Sequence, residues 1–346
     1  MPIERIRNNL LIHNINFNNH VGVYRFTDDQ VGLCGYLAIH TQTPQMAVGA
    51  TRVRNYKNEP EALNDVLQLS QNMSYKLKAC GYQEYGSAKA CIIESHLSAE
   101  REKWLARYAK ILNEFRGQFV TGTDMGLTCT DIKFLSQITP YVIGYHADPS
   151  FYTAEGILIA IKSAANFIFS NSNLAGKKFA IQGLGKVGGH LLERIYQEGG
   201  KIFVTDVDNN KVNYYKKRFP AINVVEPEVI YQIKIDFLCP CAYGNVIHPD
   251  NVKELKCRVI CGGANKQLVD HNIGEQLHKM GILYVPDYIA NSGGLILVLN
   301  ELGNKKINTV RIKEKFANLK NIVNNLIQLS LALNIPTEQA ALKVIQ

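Results

Sequence analysis

The sequence predicts a two-domain α/β protein whose C-terminal part is a Rossmann-type, doubly wound parallel sheet. Three observations carry this. From Lys177 onward, apolar strands alternate with helices at the spacing of βαβ units. A glycine turn, Gly183-Leu184-Gly185-Lys186-Val187-Gly188, joins the first of these strands to the first helix. At roughly 100–200 residues per domain, a chain of 346 residues also leaves room for an α/β domain upstream, ending near residue 150.

In the first domain, LCGYLAIH (33–40) and AVGATRVR (47–54) read as strands. Asn58 begins N-E-P-E, a capping-box-like start with Pro60 in the first turn. Ala62, Leu63, Val66, Leu67 and Leu69 continue at near-helical spacing, to about Lys78. KACIIES is strand-like, and Ser98 with Glu100 and Glu102 opens a helix through Phe115. FVTGTDMG (119–126) is a short strand running into a turn, and Thr130 caps another helix. DPSFYTAEG reads as a linker, followed by a long helix from Thr153 to about Asn171.

In the second domain, KKFAIQGLG is a strand, the segment to about Gly199 a helix, KIFVTDVD a strand and KVNYYKKRF a helix. IDFLCP, CRVICGG and ILYVP are three further strands, and 312–333 is an amphipathic helix. The nucleotide-binding domain is expected over 151–311, with the C-terminal helices of 312–346 packing back on domain 1–150.

Composition removes several classes of function. Hydrophobic residues are 46% of the chain and charged residues 20%, which is globular rather than disordered. No apolar run approaches the ~18–20 residues that span a bilayer, and Leu295–Leu299 reads as core. The start, MPIERIRNNLLIHN, does not read as a signal peptide. The net charge of +8 comes from scattered lysines with no nucleic-acid motif. The eight cysteines lie mostly in apolar stretches, and Cys239-Pro240-Cys241 lacks zinc-site spacing. The expectation is a cytoplasmic protein with reduced thiols, acting on a small molecule, with no membrane, nucleic acid or metal partner.

The glycine turn carries the strongest local chemistry. Gly183 permits the tight turn, Gly185 lets backbone approach a pyrophosphate, and Gly188 lets helix and strand pack closely. Leu184, Lys186 and Val187 complete a turn whose backbone N–H groups meet the phosphates at the helix start. Asp206 ends the next strand, 18 residues after Gly188. A carboxylate there accepts hydrogen bonds from the adenosine ribose and repels a 2′-phosphate, so the cofactor read is NAD rather than NADP. Asp208 is placed to share that role.

A second constellation lies upstream: Asn72-Met73-Ser74-Tyr75-Lys76, Gly86-Ser87-Ala88-Lys89, and Thr121-Gly122-Thr123-Asp124-Met125-Gly126. Taken singly, lysines at a helix end suit the helix dipole, and an aspartate before Gly126 suits a turn.

Together with the nucleotide motif, these segments resemble the leucine/phenylalanine/valine dehydrogenase family, within the glutamate dehydrogenase superfamily, and leucine dehydrogenases most of all. AVGATR resembles that family's Gly-Gly-Thr-Arg strand, NMSYK its Met-Thr-Tyr-Lys, GSAKACII its Gly-rich lysine loop and FVTGTDMG its Glu-Asp-Val-Gly segment. GLGKVG, CPCAYGNVI, GGANKQL and VPDYIANSGGLI follow in the family's order. The resemblance implies NAD-dependent oxidative deamination of an apolar L-amino acid, with leucine and branched-chain substrates favoured over phenylalanine or tryptophan. It implies that Lys76 binds the substrate carboxylate, that Lys89 is the catalytic lysine, and that Asp124 holds Lys89 and helps move protons. Thr153 and Asn291 fall near the nicotinamide. Gly49, Asn265, Ala290 and Leu295 fall on the substrate side, with Ser292 beside them. The first domain becomes the substrate and oligomerisation domain, which implies a homo-oligomer.

The chemistry asks for such a set. Removing a hydride from Cα leaves an iminium that water must attack, which calls for a general base near neutral pH. A lysine in a water-poor site near a second cation has its charged form disfavoured.

The chain departs from the family pattern at several points. Lys76 and Lys89 are 13 residues apart, one more than the family spacing, which makes Lys78 a rival for the carboxylate role. Ala50 and Ser87 replace glycines, Lys266 replaces an asparagine, and Tyr243 replaces a small residue. These departures motivate a second class of reading, a non-catalytic NAD-binding sensor on the same fold.

Overall fold

The structure, a computed structural model, describes residues 4–6, 10–15, 17, 19–145, 147–302 and 307–345. The chain forms two units: Met1–Lys78, Tyr82–Asp148 and Glu301–Lys306, and then Ala79–Gly81, Pro149–Asn300 and Ile307–Gln346.

In the first unit, β1 (Glu4–Ile6), β2 (Leu10–Ile15), β3 (Gly22–Asp28) and β4 (Leu33–Thr41) form an antiparallel meander. The strand expected over 47–54 is split into β5 (Ala47–Val48) and β6 (Thr51–Arg54). Gly49 breaks it: its N–H donates to Val120 O and its C=O accepts the Gly122 N–H, while a Cβ there would lie 1.9 Å from Ala88 O. Helix α1 (Glu59–Ala79) starts where expected, with Asn58 Oδ1 accepting the Glu61 N–H at 2.9 Å. Strand β7 (Gly86–Ile93) follows and pairs antiparallel with β4 and parallel with β5 and β6.

Helix α2 (Arg101–Glu114) begins after Glu100, and Ser98 does not cap it. The Ser98 N–H is held by Val31 O, and its hydroxyl is buried without a partner. Strand β8 (Phe119–Val120) pairs with β5. Helix α3 (Cys129–Leu135) is capped by Thr128 rather than Thr130. Thr128 Oγ1 accepts the Asp131 N–H while the Asp131 carboxylate accepts the Thr128 N–H, a reciprocal capping box.

Alternation along β7 divides its side chains. Ala88, Ala90 and Ile92 join Trp104, Leu105 and Tyr108 of α2 in one core. Cys91 and Ile93, on the opposite face with Ser87 and Lys89, join Ala62 and Val66 of α1 in another.

In the second unit, α4 (Ser150–Phe169) starts within the segment expected as a linker. Then come β9 (Lys178–Gln182), α5 (Lys186–Gln197), β10 (Lys201–Thr205), α6 (Asn209–Arg218), β11 (Asn223–Val224), β12 (Phe237–Pro240), β13 (Val259–Ile260), α7 (His271–Lys279) and β14 (Leu283–Tyr284). The sheet is wholly parallel, in the order β11-β10-β9-β12-β13-β14. That is the doubly wound nucleotide-binding topology, with its switch point between β9 and β12. Leu295–Leu299 lies in α9 (Gly293–Asn300), which follows the short α8 (Asp287–Ala290).

The C-terminal helices, expected on the first domain, instead group with the second unit. Helix α10 (Thr309–Leu333) packs along α4 and α9, burying Leu319, Val323, Leu326 and Ile327, with Tyr152 stacked on Phe316. Helix α11 (Thr337–Ile345) packs on α7 and β14. Amphipathic spacing showed that these helices bury one face, but not which surface that face meets.

Candidate active site

Lys89 points from β7 toward α1, and its Nζ lies 2.8 Å from Asp124 Oδ2, the two side chains being 12% and 16% exposed. Asp124 sits in a turn closed by the Leu127 N–H on Asp124 O. Gly126 makes that turn possible: its φ is +76°, and a Cβ there would lie 2.1 Å from Val53 O. Arg101 of α2 clamps the same turn by donating to Gly126 O at 2.6 Å.

A second cation shares the carboxylate. Arg52 Nε donates to the same Asp124 Oδ2 at 3.0 Å, while its Nη1 meets Asp65 Oδ2 at 3.1 Å. Tyr56 donates its hydroxyl to Asp65 Oδ2 at 2.7 Å. Burial works against the charged form of Asp124, but the Lys89 and Arg52 charges outweigh it and hold the carboxyl at about 2. Asp124 therefore stays a carboxylate across the neutral range. That suits an anchor for Lys89. Arg52 lay inside the AVGATR motif without a role, and Asp65 carried no sequence signal beyond being polar between Leu63 and Val66.

Helix α1 separates the two candidate carboxylate-binding lysines. Lys76 is eleven residues beyond Asp65, which at about 100° per residue puts the two about 20° apart on the helix. Lys76 thus shares the stripe that faces Arg52. Lys78 continues the other stripe, one turn beyond Ser74, whose hydroxyl bonds His40 Nδ1 at 2.6 Å. Burial, helped by the His20 and Lys78 charges, lowers the His40 pKa. Ser87, one of the departures from the family pattern, is fully buried and bonds the Ser74 and Thr41 hydroxyls. Its added side chain is absorbed by α1.

In the second unit the three turn glycines have three distinct environments. Gly183 has φ +95°, and a Cβ there would meet Ala242 at 2.8 Å. At Gly188 a Cβ would lie 1.9 Å from Gly183 O. At Gly185, the residue preceding α5, a Cβ would meet nothing within 4 Å. That bare position lies beside the first turn of α5, whose N–H groups have no acceptor within the helix. Asp206 Oδ2 accepts the Leu184 N–H at 2.6 Å and Oδ1 accepts the Asp208 N–H at 2.8 Å. Each oxygen keeps a lone pair for a ribose hydroxyl. The residues fit a dinucleotide on steric grounds as well as by motif.

The structure brings Asn265 and Asn291 together, with Asn291 Nδ2 donating to Asn265 Oδ1 at 2.7 Å and to Gly263 O at 3.2 Å. Asn291 Oδ1 is buried without a partner, an acceptor available to a ligand amide. Thr153 stands close by in α4: a Cβ on Gly294 would lie 2.5 Å from its hydroxyl, which donates to Pro149 O. Leu295 is half-buried, but Ala290 is fully buried, so its methyl belongs to the core. Lys266 is exposed and adopts φ +54°, a conformation the family's asparagine tolerates better than lysine. Tyr243 is exposed. Among the described residues, no helix is long and apolar enough to cross a membrane.

Residues 18–141 match the family model "Glu/Leu/Phe/Val dehydrogenase, dimerisation domain", and residues 204–342 match "Glutamate/Leucine/Phenylalanine/Valine dehydrogenase". The chain is 36% identical over 318 residues to phenylalanine dehydrogenase of Lysinibacillus sphaericus, covering 88% of this chain and 83% of that protein. It is 35% identical over 320 residues to leucine dehydrogenase of Bacillus subtilis (strain 168), covering 91% and 87%. Among solved structures, L-tryptophan dehydrogenase from Nostoc punctiforme superposes with a TM-score of 0.81 at 32% identity, over 94% of this chain and 95% of that one.

Proposed function

The chain belongs to the glutamate/leucine/phenylalanine/valine dehydrogenase family, and from that premise we propose that it oxidises an apolar L-amino acid, branched-chain ones foremost, to the 2-oxo acid and ammonia with NAD. Amino acid dehydrogenase activity follows from the family. The observation that carries the site assignment is the Lys89–Asp124 pair, a largely buried amine held at 2.8 Å by a carboxylate that the Lys89 and Arg52 charges keep ionised across the neutral range.

Bound NAD supplies the hydride acceptor. Lys76 fixes the substrate carboxylate. Lys89, as the amine, takes the proton from the water that attacks the iminium carbon, and as the ammonium it polarises the keto oxygen in the reverse direction. Asp124 keeps Lys89 in place. The Asn291 acceptor and Thr153 orient the nicotinamide amide, and Asp206 holds the ribose.

Ala50, where the family motif has glycine, adds a methyl next to Gly49 and supports a branched side chain over a ring. The similarity to phenylalanine and tryptophan dehydrogenases supports an aromatic substrate as the second reading. The match of 18–141 to a dimerisation domain supports a homo-oligomer, and eight free cysteines support a cytoplasmic enzyme. The test is NADH formation across a panel of amino acids at alkaline pH. Fastest turnover of leucine, valine or isoleucine sustains the proposal, and fastest turnover of phenylalanine or tryptophan replaces its substrate. No turnover with NAD still bound would leave a non-catalytic sensor.

A further inference from the structure

We propose that Arg52, held in place by Asp65, is a positioning residue that shares the Asp124 carboxylate with Lys89 and thereby sets the pH at which the lysine gives up its proton. This rests on Lys89 being the acid–base group, as proposed above.

The geometry is a continuous chain. Tyr56 holds Asp65 at 2.7 Å, Asp65 holds Arg52 Nη1 at 3.1 Å, and Arg52 Nε reaches Asp124 Oδ2 at 3.0 Å, the oxygen that Lys89 Nζ also takes at 2.8 Å. The guanidinium meets the two carboxylates through separate N–H groups in a fixed plane, whereas an ammonium at position 52 would act as a compact point charge without that fixed geometry. Arg52 is 11% exposed, so solvent screens its charge little.

The other groups facing Lys89 have fixed or distant charge. Cys91 lies two residues along β7, and burial pushes its thiol up to about 12. Burial raises the Tyr56 hydroxyl pKa as well. Both remain neutral. From α1, Lys76 shares the stripe of Asp65. With Lys89 protonated, Lys89, Arg52, Asp124 and Asp65 sum to zero. Removing Arg52 leaves a net negative charge that holds the lysine proton more tightly. Removing Asp65 leaves a net positive charge that releases it more readily.

The test is the acid limb of the pH profile of kcat/KM for oxidation, with L-leucine or L-phenylalanine, whichever turns over faster. Arg52→Gln is expected to move the limb up by about one pH unit and Asp65→Asn to move it down. Arg52→Lys keeps the limb in place with reduced kcat. A merely structural role would lower activity in both neutralised variants without opposite shifts. Unmoved limbs, or shifts in one direction, overturn the inference. If Arg52→Gln fails to fold, the downward shift in the near-isosteric Asp65→Asn decides alone. Lys89→Ala separates the two levels. Turnover retained there overturns the catalytic reading itself, whereas turnover lost there with unmoved limbs in the other variants overturns only the inference.

Discussion

The Asp206 carboxylate holds the Leu184 N–H at 2.6 Å, so the acid at the end of β10 is tied directly to the glycine turn after β9. One side chain therefore serves the turn and, in the proposed function, the ribose. Asp206→Ala is expected to weaken NAD binding and to lower the NAD/NADP ratio of kcat/KM by about tenfold or more, the worth of a hydrogen bond to a charged group. Steady-state kinetics with both cofactors measure this. An unchanged ratio would remove Asp206 from cofactor selection.

Gly185 and Gly188 separate binding from folding. Gly185→Ala has open space for its methyl, so the melting temperature should hold while NAD affinity falls. Gly188→Ala drives a methyl into Gly183 O and should destabilise the second unit by about 1–3 kcal/mol. Thermal melts and NAD titrations of both variants check the pair. A stable Gly188→Ala would mean that the close approach relaxes at little cost.

The two stripes of α1 predict different outcomes for its two C-terminal lysines. Lys76→Ala should raise KM for the amino acid ten- to a hundredfold, about the value of a charge-assisted hydrogen bond. Lys78→Ala should leave KM alone and move the His40 titration upward, because the Lys78 charge helps to lower it. Kinetics and histidine proton NMR distinguish them. The reverse pattern would hand the carboxylate role to Lys78.

Glu338 in α11 gives the second unit a pH-dependent stability. Burial, with Asp287 and Asp270 nearby, pushes its carboxyl up to about 7, and the other groups facing it are His271 at 3.8 Å and the un-ionised Tyr284. The folded state holds this proton more tightly than the unfolded chain. Its burial therefore costs nothing below about pH 4.5, and stability is lost as pH rises through 7, by about 3 kcal/mol in all. Glu338→Gln should match the parent near pH 4.5 and exceed it at pH 8 in chemical denaturation. Equal stability at both pH values would show that the carboxyl is better solvated than its surroundings suggest.

The sequence by itself determined the local features of this protein. Strand–helix alternation after Lys177, the distinct spacing of the three turn glycines, the Asn58 cap and the strand that carries Lys89 all follow from periodicity and backbone sterics, which act between neighbours in the chain. Even there the α3 cap is Thr128 and not the expected Thr130, because Thr128 has a reciprocal partner in Asp131 three residues on. Tertiary structure alone decided which buried faces meet. It split the strand at Gly49, gathered α10 onto α4 and α9, and put Lys76 rather than Lys78 on the side of Arg52. It also brought Arg52 and Asp65, 13 residues apart, into one charge network with Asp124. A period states which side chains share a face. The charge balance around Lys89 depends on groups from β6, α1 and the turn after β8, and only packing in three dimensions sets the distances between them.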